Sequence, residues 1–363
     1  MIQALFACII GFTLPGISSQ GDRVFYHDAR SMALGGVSIV LESGSNPASM
    51  ALIDERTILL SGIAALQNER RGLRVYDSYG NNIGIATIAN NTSSYTNPGP
   101  CAFVFPIKFL RVGVQYVPMW DYNYYYREEH RDDFYQLVRT DELSWTGNIF
   151  TVSPMVSLQY RFVSIGVTQG FLFGEWLSER TVIIPDLPDT VYQDQGELTG
   201  SETKVGISIA PGINFRFAYT YSHEYEIDEG GTAYPSIHSV GLMYQPAGRV
   251  PTKFVGQIDY EMWEGIADKD ILLYRIGVEH LILMKYNLRY GFCIYPDYTQ
   301  PAVWTTNLTL GCGMKSGMYS FDIGYAYGKR DYQSSDFPLL DLSEDYKFSE
   351  TAHHISVTAG IRF

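Results

Sequence analysis

Charge is scarce in this chain. Asp, Glu, Lys and Arg make up only 18% of it, against about a quarter in an ordinary soluble domain. Lys and Arg number 26 against 39 for Asp and Glu, a net charge of −13, and no basic stripe is visible. Nucleic acid is thereby excluded as a partner. Cysteine is also rare: of four, Cys8 falls in an apolar leader, and Cys101, Cys293 and Cys312 fit neither a disulfide framework nor a zinc site. No HExxH, nucleophile elbow or phosphate loop is present. The chain therefore reads as a non-enzyme, with no metal, cofactor or energy source implied. No apolar run reaches the ~20 residues that a transmembrane helix needs.

Aromatics and glycine are plentiful: Tyr 28, Phe 19, Trp 5 and Gly 34 in 363 residues, of which 46% are hydrophobic. Wholesale disorder is excluded, and the length suits two soluble domains or one large β architecture. Bulky aromatic side chains pack well across a pleated surface. Tyr and Trp also suit a membrane–water boundary.

Residues 4–14 are apolar and are followed by Pro15, Gly16 and the small pair Ser18-Ser19. This pattern predicts a secretory signal peptide over residues 1–20, although Met1-Ile2-Gln3 lacks the usual basic residue. Leu5-Phe6-Ala7-Cys8 is preceded by too few residues to serve as a lipoprotein box.

Beyond the leader, alternation with period two recurs. At the C-terminus Ile355, Val357, Ala359, Ile361 and Phe363 point one way, and His354, Ser356, Thr358, Gly360 and Arg362 the other. The same pattern predicts about fourteen strands, near 56–68, 101–106, 109–117, 152–161, 163–175, 202–210, 212–222, 237–246, 252–263, 271–281, 285–295, 303–313, 318–329 and 352–363. Links between them alternate between short turns and long polar stretches such as 69–100, 118–151, 176–201 and 330–351. That sorting of loops is expected of a transmembrane barrel, with tight turns on one rim and long loops on the other. The predicted fold is all-β: a transmembrane antiparallel β-barrel of about 14 strands over residues 55–363.

Hydrocarbon strengthens the case. Each unpaired backbone N–H or C=O there costs several kcal/mol, so a spanning sheet must close on itself. The Tyr-rich apolar face then lies in lipid, and Arg216, Arg289, Asp322 and Arg362, with Asp259 and Glu261, point into the lumen. A terminal strand ending in Phe363, with apolar Ile361, Ala359, Val357 and Ile355 before it, resembles the signal by which barrel-assembly machinery recognises its clients.

Residues 28–52, within an expected hatch segment over 21–54, do not alternate like a strand. Asn46 reads as a helix N-cap with Pro47 at the first helical position, and Gly35-Gly36 permits a tight turn. A short helical hatch plugging or bordering the barrel is expected. The Ala-Arg-x-Met-x-Leu-Gly-Gly-Val stretch from Ala29, followed by Asn46-Pro47-Ala48, resembles the N-terminal motif of the FadL/TodX family. That family comprises outer-membrane transporters of long-chain fatty acids and aromatic hydrocarbons. Gly35, Gly36, Asn46, Pro47 and Ala48 match the motif, whereas the Gly36-to-Asn46 link is shorter than usual and Ser49-Met50 replaces Gly-Leu. The resemblance implies a lumenal hatch. A related barrel of the PorV type acts instead in protein export, as a secretion-system partner.

Other clusters have plain readings. The 127–133 run, Arg-Glu-Glu-His-Arg-Asp-Asp, is a solvated loop that divalent cations can bridge to anionic lipopolysaccharide. His223-Glu224-Tyr225-Glu226 reads as a loop base, and His353 and His354 fall on opposite faces of one strand. Trp120, Tyr122, Tyr124, Tyr125 and Tyr126 are candidates either for ligand capture or for an aromatic girdle at the membrane surface.

The expected function is passive uptake of a hydrophobic small molecule across a bacterial outer membrane, among lipid and lipopolysaccharide. A structural or secretion-partner barrel is the alternative, and a water-filled porin a third. An enclosed apolar pocket beside Asn46-Pro47 with a gap in the wall would favour uptake. A fully plugged polar interior with a large apolar rim would favour partner binding.

Overall fold

The computed structural model describes residues 22–24, 28–42, 45–227, 232–267, 269–298, 300–334 and 346–363; the expected signal peptide lies outside them. The described residues form fourteen antiparallel wall strands. Ten run unbroken: Thr57–Tyr76, Leu137–Tyr160, Val163–Ile183, Thr190–Gly212, Thr252–Met262, Ile271–Ile282, Tyr286–Pro296, Trp304–Ser316, Tyr319–Ser334 and Tyr346–Arg362. Four are interrupted: Asn82–Pro98 with Cys101–Ile107, Leu110–Asp121 with Tyr124–Arg131, Phe215–Ser222 with Tyr225–Ile227, and Thr232–Tyr234 with Ser236–Tyr244. The last strand pairs with the first, from Tyr346 opposite Leu73 to Arg362 opposite Thr57, and this closes the sheet. No helix among the described residues is long and apolar enough to cross a membrane.

Closure sorts the side chains as the alternation predicts. Ile355, Val357, Ala359, Ile361 and Phe363 are exposed, while Ser356 and Thr358 are buried. On strand Tyr286–Pro296, Tyr286, Leu288 and Tyr290 face out and Arg289 is buried. An Arg turned to lipid at the midplane would cost roughly 2–4 kcal/mol, which sets the parity of that strand.

Each of the fourteen predicted strand segments falls on a different wall strand and overruns it by three residues at most, but the predicted long links are mostly strand. The 69–100 link belongs largely to a hairpin whose partners pair from Gly62 with Pro98 to Tyr76 with Asn82, leaving only residues 77–81 as a turn. The 118–151 link likewise becomes strand up to Arg131 and again from Leu137. Apolar alternation stops where lipid stops, but backbone hydrogen bonds need no apolar side chains. The ladder therefore continues through polar runs such as Asn90-Asn91-Thr92-Ser93-Ser94.

The N-terminal segment lies inside the cylinder. Helix Ala29–Ala33 is capped by Asp28, whose carboxylate accepts from Ser31 N at 2.6 Å while Ser31 Oγ accepts from Asp28 N at 3.0 Å. This is a capping box built on Ser at the third position rather than Glu. The 3-10 helix Pro47–Leu52 starts as expected, with Asn46 Oδ1 accepting from Ala48 N at 2.9 Å. Residues 29 and 31–41 are buried, as are 45–51.

Candidate functional site

The interior has three tiers. The lowest holds the N-terminal segment by buried polar bonds. Arg30 makes a bidentate pair with Glu279, both bonds at 2.9 Å. Glu279 also takes Arg289 at 2.7 Å and Lys253 at 3.3 Å, and Arg289 reaches Asp322 at 2.5 Å. Arg275, paired with Asp259 at 2.8 Å, donates to Gly36 O at 2.8 Å. Gln257 Oε1 accepts from Ser38 N at 2.9 Å, and Arg216 donates to Val40 O at 2.8 Å. Arg362 lies 3.7 Å from Glu42. The residues expected in the lumen thus face it; Arg216 and Arg362 bind the inner segment directly, and Arg289 and Asp259 reach it through Glu279 and Arg275. Arg30, Glu279, Arg275 and Gln257 were missed by sequence reasoning, although the last three sit at inward-facing positions of their strands, which was the available signal.

Small wall residues let the motif residues approach. Gly35 has φ +70, and a Cβ there would meet Ile276 O at 2.6 Å and Phe292 O at 2.5 Å, so no other residue fits without backbone movement. Gly206 gives the Asn46 side chain its seat against the wall. Asn46 Nδ2 and Ser49 Oγ both donate to Ile39 O, at 3.2 and 2.8 Å, which ties the two halves of the segment together.

The middle tier is aromatic. Trp120 packs on Tyr234 at 4.6 Å and meets Trp263 edge-on, while Trp263 stacks on Tyr298 at 4.2 Å. Its indole N–H donates to Tyr225 OH at 3.0 Å, and the Tyr122 and Tyr234 hydroxyls are 3.1 Å apart. A cavity of about 140 Å³ opens beside this cluster, against Trp120, Ile271, Leu273 and Tyr298. On the other side of Trp120 lies a smaller void of about 60 Å³ that reaches Ser38, Ile39 and Ser45 of the inner segment. Trp120, Val24 and Glu261 border both spaces. The larger cavity does not touch Asn46-Pro47, where an apolar pocket was looked for.

The upper tier mixes rings and charge. The Arg71 guanidinium lies 3.4 Å over the Tyr126 ring and 5.1 Å from Phe348, and bonds Glu69 at 2.5 Å and Tyr124 OH at 2.6 Å. Tyr332 stacks on Phe348 at 4.8 Å and donates to Glu350, which Arg330 also holds.

Four of the five capture candidates are thus in strands, and Tyr122 sits at the break between Leu110–Asp121 and Tyr124–Arg131. Trp120 and Tyr122 join the middle tier, Tyr124 and Tyr126 the upper one, and Tyr125, of opposite parity, faces out at 36% exposure. Four of the five are inside the barrel rather than on its outer face. The 127–133 cluster is strand and turn, with Arg131 on Glu129 at 2.6 Å and His130 on Asp141 at 3.0 Å. His353 and His354 do fall on opposite faces: His353 bonds Tyr325 OH, and His354 lines the cavity. Among the described residues no group of three or more His, Cys, Asp or Glu is placed to hold a metal ion.

The wall has a seam beside the cavity. Cys101–Ile107 pairs with the next strand from Leu110 to Tyr116. Beyond that, Pro118 has no N–H, the register against the following strand shifts between Pro118 and Trp120, and residues 120–122 are all buried. Alternation in burial is lost there although Trp120 and Asp121 still pair with Ile149 and Asn148 of the following strand. On their other edge Trp120 and Asp121 pair with Arg23 and Asp22, and Val24 N donates to Met119 O at 2.9 Å. Among the described residues no backbone ladder joins Asn82–Pro98 to Tyr124–Arg131; the bond found there is Arg127 N–H to Asn91 Oδ1, 3.1 Å. Ile63 and Asn97, on the two strands before the seam, line the cavity.

A closed fourteen-strand transmembrane barrel with its N-terminal segment folded inside is the class that these features define. Solved structures share it. A FadL homologue of Pseudomonas aeruginosa matches with a TM-score of 0.67 over 94% of this chain and 100% of that one, at 14% identity. The toluene transporter TodX of Pseudomonas putida matches at 0.66 over 95% and 100%, with 12% identity. The toluene transporter TbuX of Ralstonia pickettii matches at 0.59 over 95% and 99%, with 13% identity. At such identities the likeness is one of fold: this chain has the FadL/TodX-type barrel, as its N-terminal motif predicted. No protein-family model and no curated protein matches the chain in sequence.

Proposed function

We propose that the chain is a passive channel for hydrophobic small molecules in the bacterial outer membrane. The observation that carries this reading is the cavity, apolar on its Trp120, Ile271 and Leu273 side, set against an unladdered seam, with a polar-bonded segment beneath it. An apolar solute crosses a lipopolysaccharide layer poorly; an internal site lined by Trp120 and Leu273 desolvates it, as burial of apolar area drives binding. The inner segment acts as the hatch, with Gly35, Gly36, Asn46, Pro47 and Ala48 seating it. The seam gives the solute a route sideways into the membrane, and movement of the hatch gives a route down. The fold neighbours described as toluene transporters and a FadL homologue agree with such a role. Nothing in this scheme uses a catalytic group. The terminal strand to Phe363 serves as the assembly signal.

The test is accumulation of radiolabelled toluene and of a long-chain fatty acid by cells producing the barrel, against cells of the same host lacking it. Faster accumulation of either is expected; equal rates for both overturn the reading.

One observation favours a secretion-partner role of the PorV type. The hairpin ends carry exposed apolar residues, with Tyr79 at 89%, Phe134 at 84% and Tyr135 at 82% exposure. Phe134 and Tyr135 adjoin at one hairpin end, and adjoining exposed apolar groups mark interaction surfaces. Replacing these three by Ser leaves uptake unchanged if the channel reading holds, and abolishes export of a client protein if the partner reading does.

A further inference from the structure

We propose that the cavity beside Trp120 selects a one-ring aromatic molecule carrying a hydroxyl, of the phenol class, over a bare hydrocarbon or a fatty acid. This deepens the uptake reading and rests on it. Size sets the first limit. At about 140 Å³ the space is close to the ~150 Å³ apolar void that accepts benzene, and it cannot enclose an extended acyl chain.

The walls set the second. One side is apolar, made by Trp120, Ile271 and Leu273. The other is amide and hydroxyl. The register places Gln67 opposite Ala352, Ala352 opposite Gly328, and Gly328 opposite Asn307, so two amides flank two small residues in one row around the wall. Gly328 gives its room to the Asn307 side chain, whose Oδ1 would clash with a Cβ there, and Ala352 has only a methyl to offer the gap beside it. Gln67 and Thr305 are 8% and 7% exposed, and Gln67 Oε1 and Thr305 Oγ1 have no hydrogen-bond partner among the described residues. A buried acceptor left without a donor is costly. A hydroxyl on the ligand ring supplies that donor, whereas toluene cannot.

Charge sets the third. The lysine and arginine that line the cavity are already engaged, Arg330 by Glu350 at 2.5 Å and Lys329 by Asp331 at 2.9 Å. Glu261, Asp297 and Glu350 line it as well. A carboxylate ligand would therefore be desolvated among other carboxylates with its natural counter-ions taken. A neutral phenol avoids that penalty.

The experiment compares p-cresol, toluene and decanoate, the first two differing by a single hydroxyl. The full chain in phosphatidylcholine nanodiscs is dialysed to equilibrium against each labelled probe, with empty nanodiscs subtracted. p-Cresol is expected to bind about tenfold more tightly than toluene, as one hydrogen bond to an otherwise unmet group allows. Gln67→Leu combined with Thr305→Val removes that ratio by weakening p-cresol binding. Equal affinities in the unaltered protein, an unchanged ratio in the double variant, or displacement of p-cresol by decanoate at lower concentration each overturn the proposal, and the uptake reading survives all three. Should the double variant lose toluene binding as well, Thr305→Val alone, equal in volume, decides by the same ratio. Absence of binding by all three probes overturns the proposal; only equal accumulation in the cell assay overturns the uptake reading.

Discussion

The lower and middle tiers of the lumen are neighbours built on opposite principles. In the lower tier Arg30, Glu279, Arg289 and Asp322 form a chain of ion pairs, and the backbone of residues 35–40 is held by Thr309, Arg275, Gln257 and Arg216. In the middle tier Trp120, Trp263, Tyr234 and Tyr298 pack ring on ring and leave a cavity beside them. Buried ion pairs demand fixed geometry and gain little over well-packed apolar groups, but losing one partner is severe. Aromatic packing tolerates a gap and accepts a ligand. The difference teaches that the floor specifies one position for the inner segment, and that selectivity resides above it.

Glu279→Leu breaks the comparison most strongly. Arg30, Arg289 and Lys253 lose their shared acid, at a cost on the order of 3–5 kcal/mol. The inner segment should unseat, and single-channel conductance in a planar bilayer should rise; a conductance equal to that of the unaltered protein would show that the ion chain does not hold the floor. Trp120→Phe tests the middle tier. It removes the bond to Tyr225 OH and about 1–2 kcal/mol with it, and it enlarges the space at a side chain that borders both voids. Larger aromatics should then bind, with conductance unchanged. An effect on conductance instead would mean that the tiers are mechanically one.

Asn46→Ala sharpens the contrast within the floor. It loses an N-cap worth about 1 kcal/mol together with the bond to Ile39 O. Amide exchange should quicken over Pro47–Leu52 and remain unchanged in the helix capped by Asp28. The smallest effect lies outside both tiers, at the 77–81 turn. Bonds from the Asn81 side chain and the Asn81 and Tyr79 amides hold the Asp77 carboxyl below its usual value. A depressed folded value contributes stability above the unfolded pKa of about 4 and loses it as pH falls through the folded one. The protection factor at Asn81, the exchange rate corrected for its intrinsic pH dependence, should therefore fall in acid, and Asp77→Asn should make that factor insensitive to pH there.

Much of this was visible in the residues. Alternation located all fourteen wall strands because lipid on one side and lumen on the other impose period two. Asn46-Pro47 announced its helix because capping is local chemistry. Glu279 and Arg275 were readable as inward groups, but not as partners of Arg30 and Gly36, since those contacts join positions more than two hundred apart. The aromatic run from Trp120 was misread as part of a long link. Its burial depends on a bend at Pro118 and on a partner strand at Asp22–Arg23, far away in the chain.

Local pattern alone settled strand number, strand parity and the nature of the outer surface, because each depends on a residue's own transfer between lipid and a polar lumen. Ring closure decided what faces what across the lumen. The cavity, the seam and the ion chain exist only where strands remote in sequence converge, so their energies are properties of contacts and cannot be carried by any one stretch.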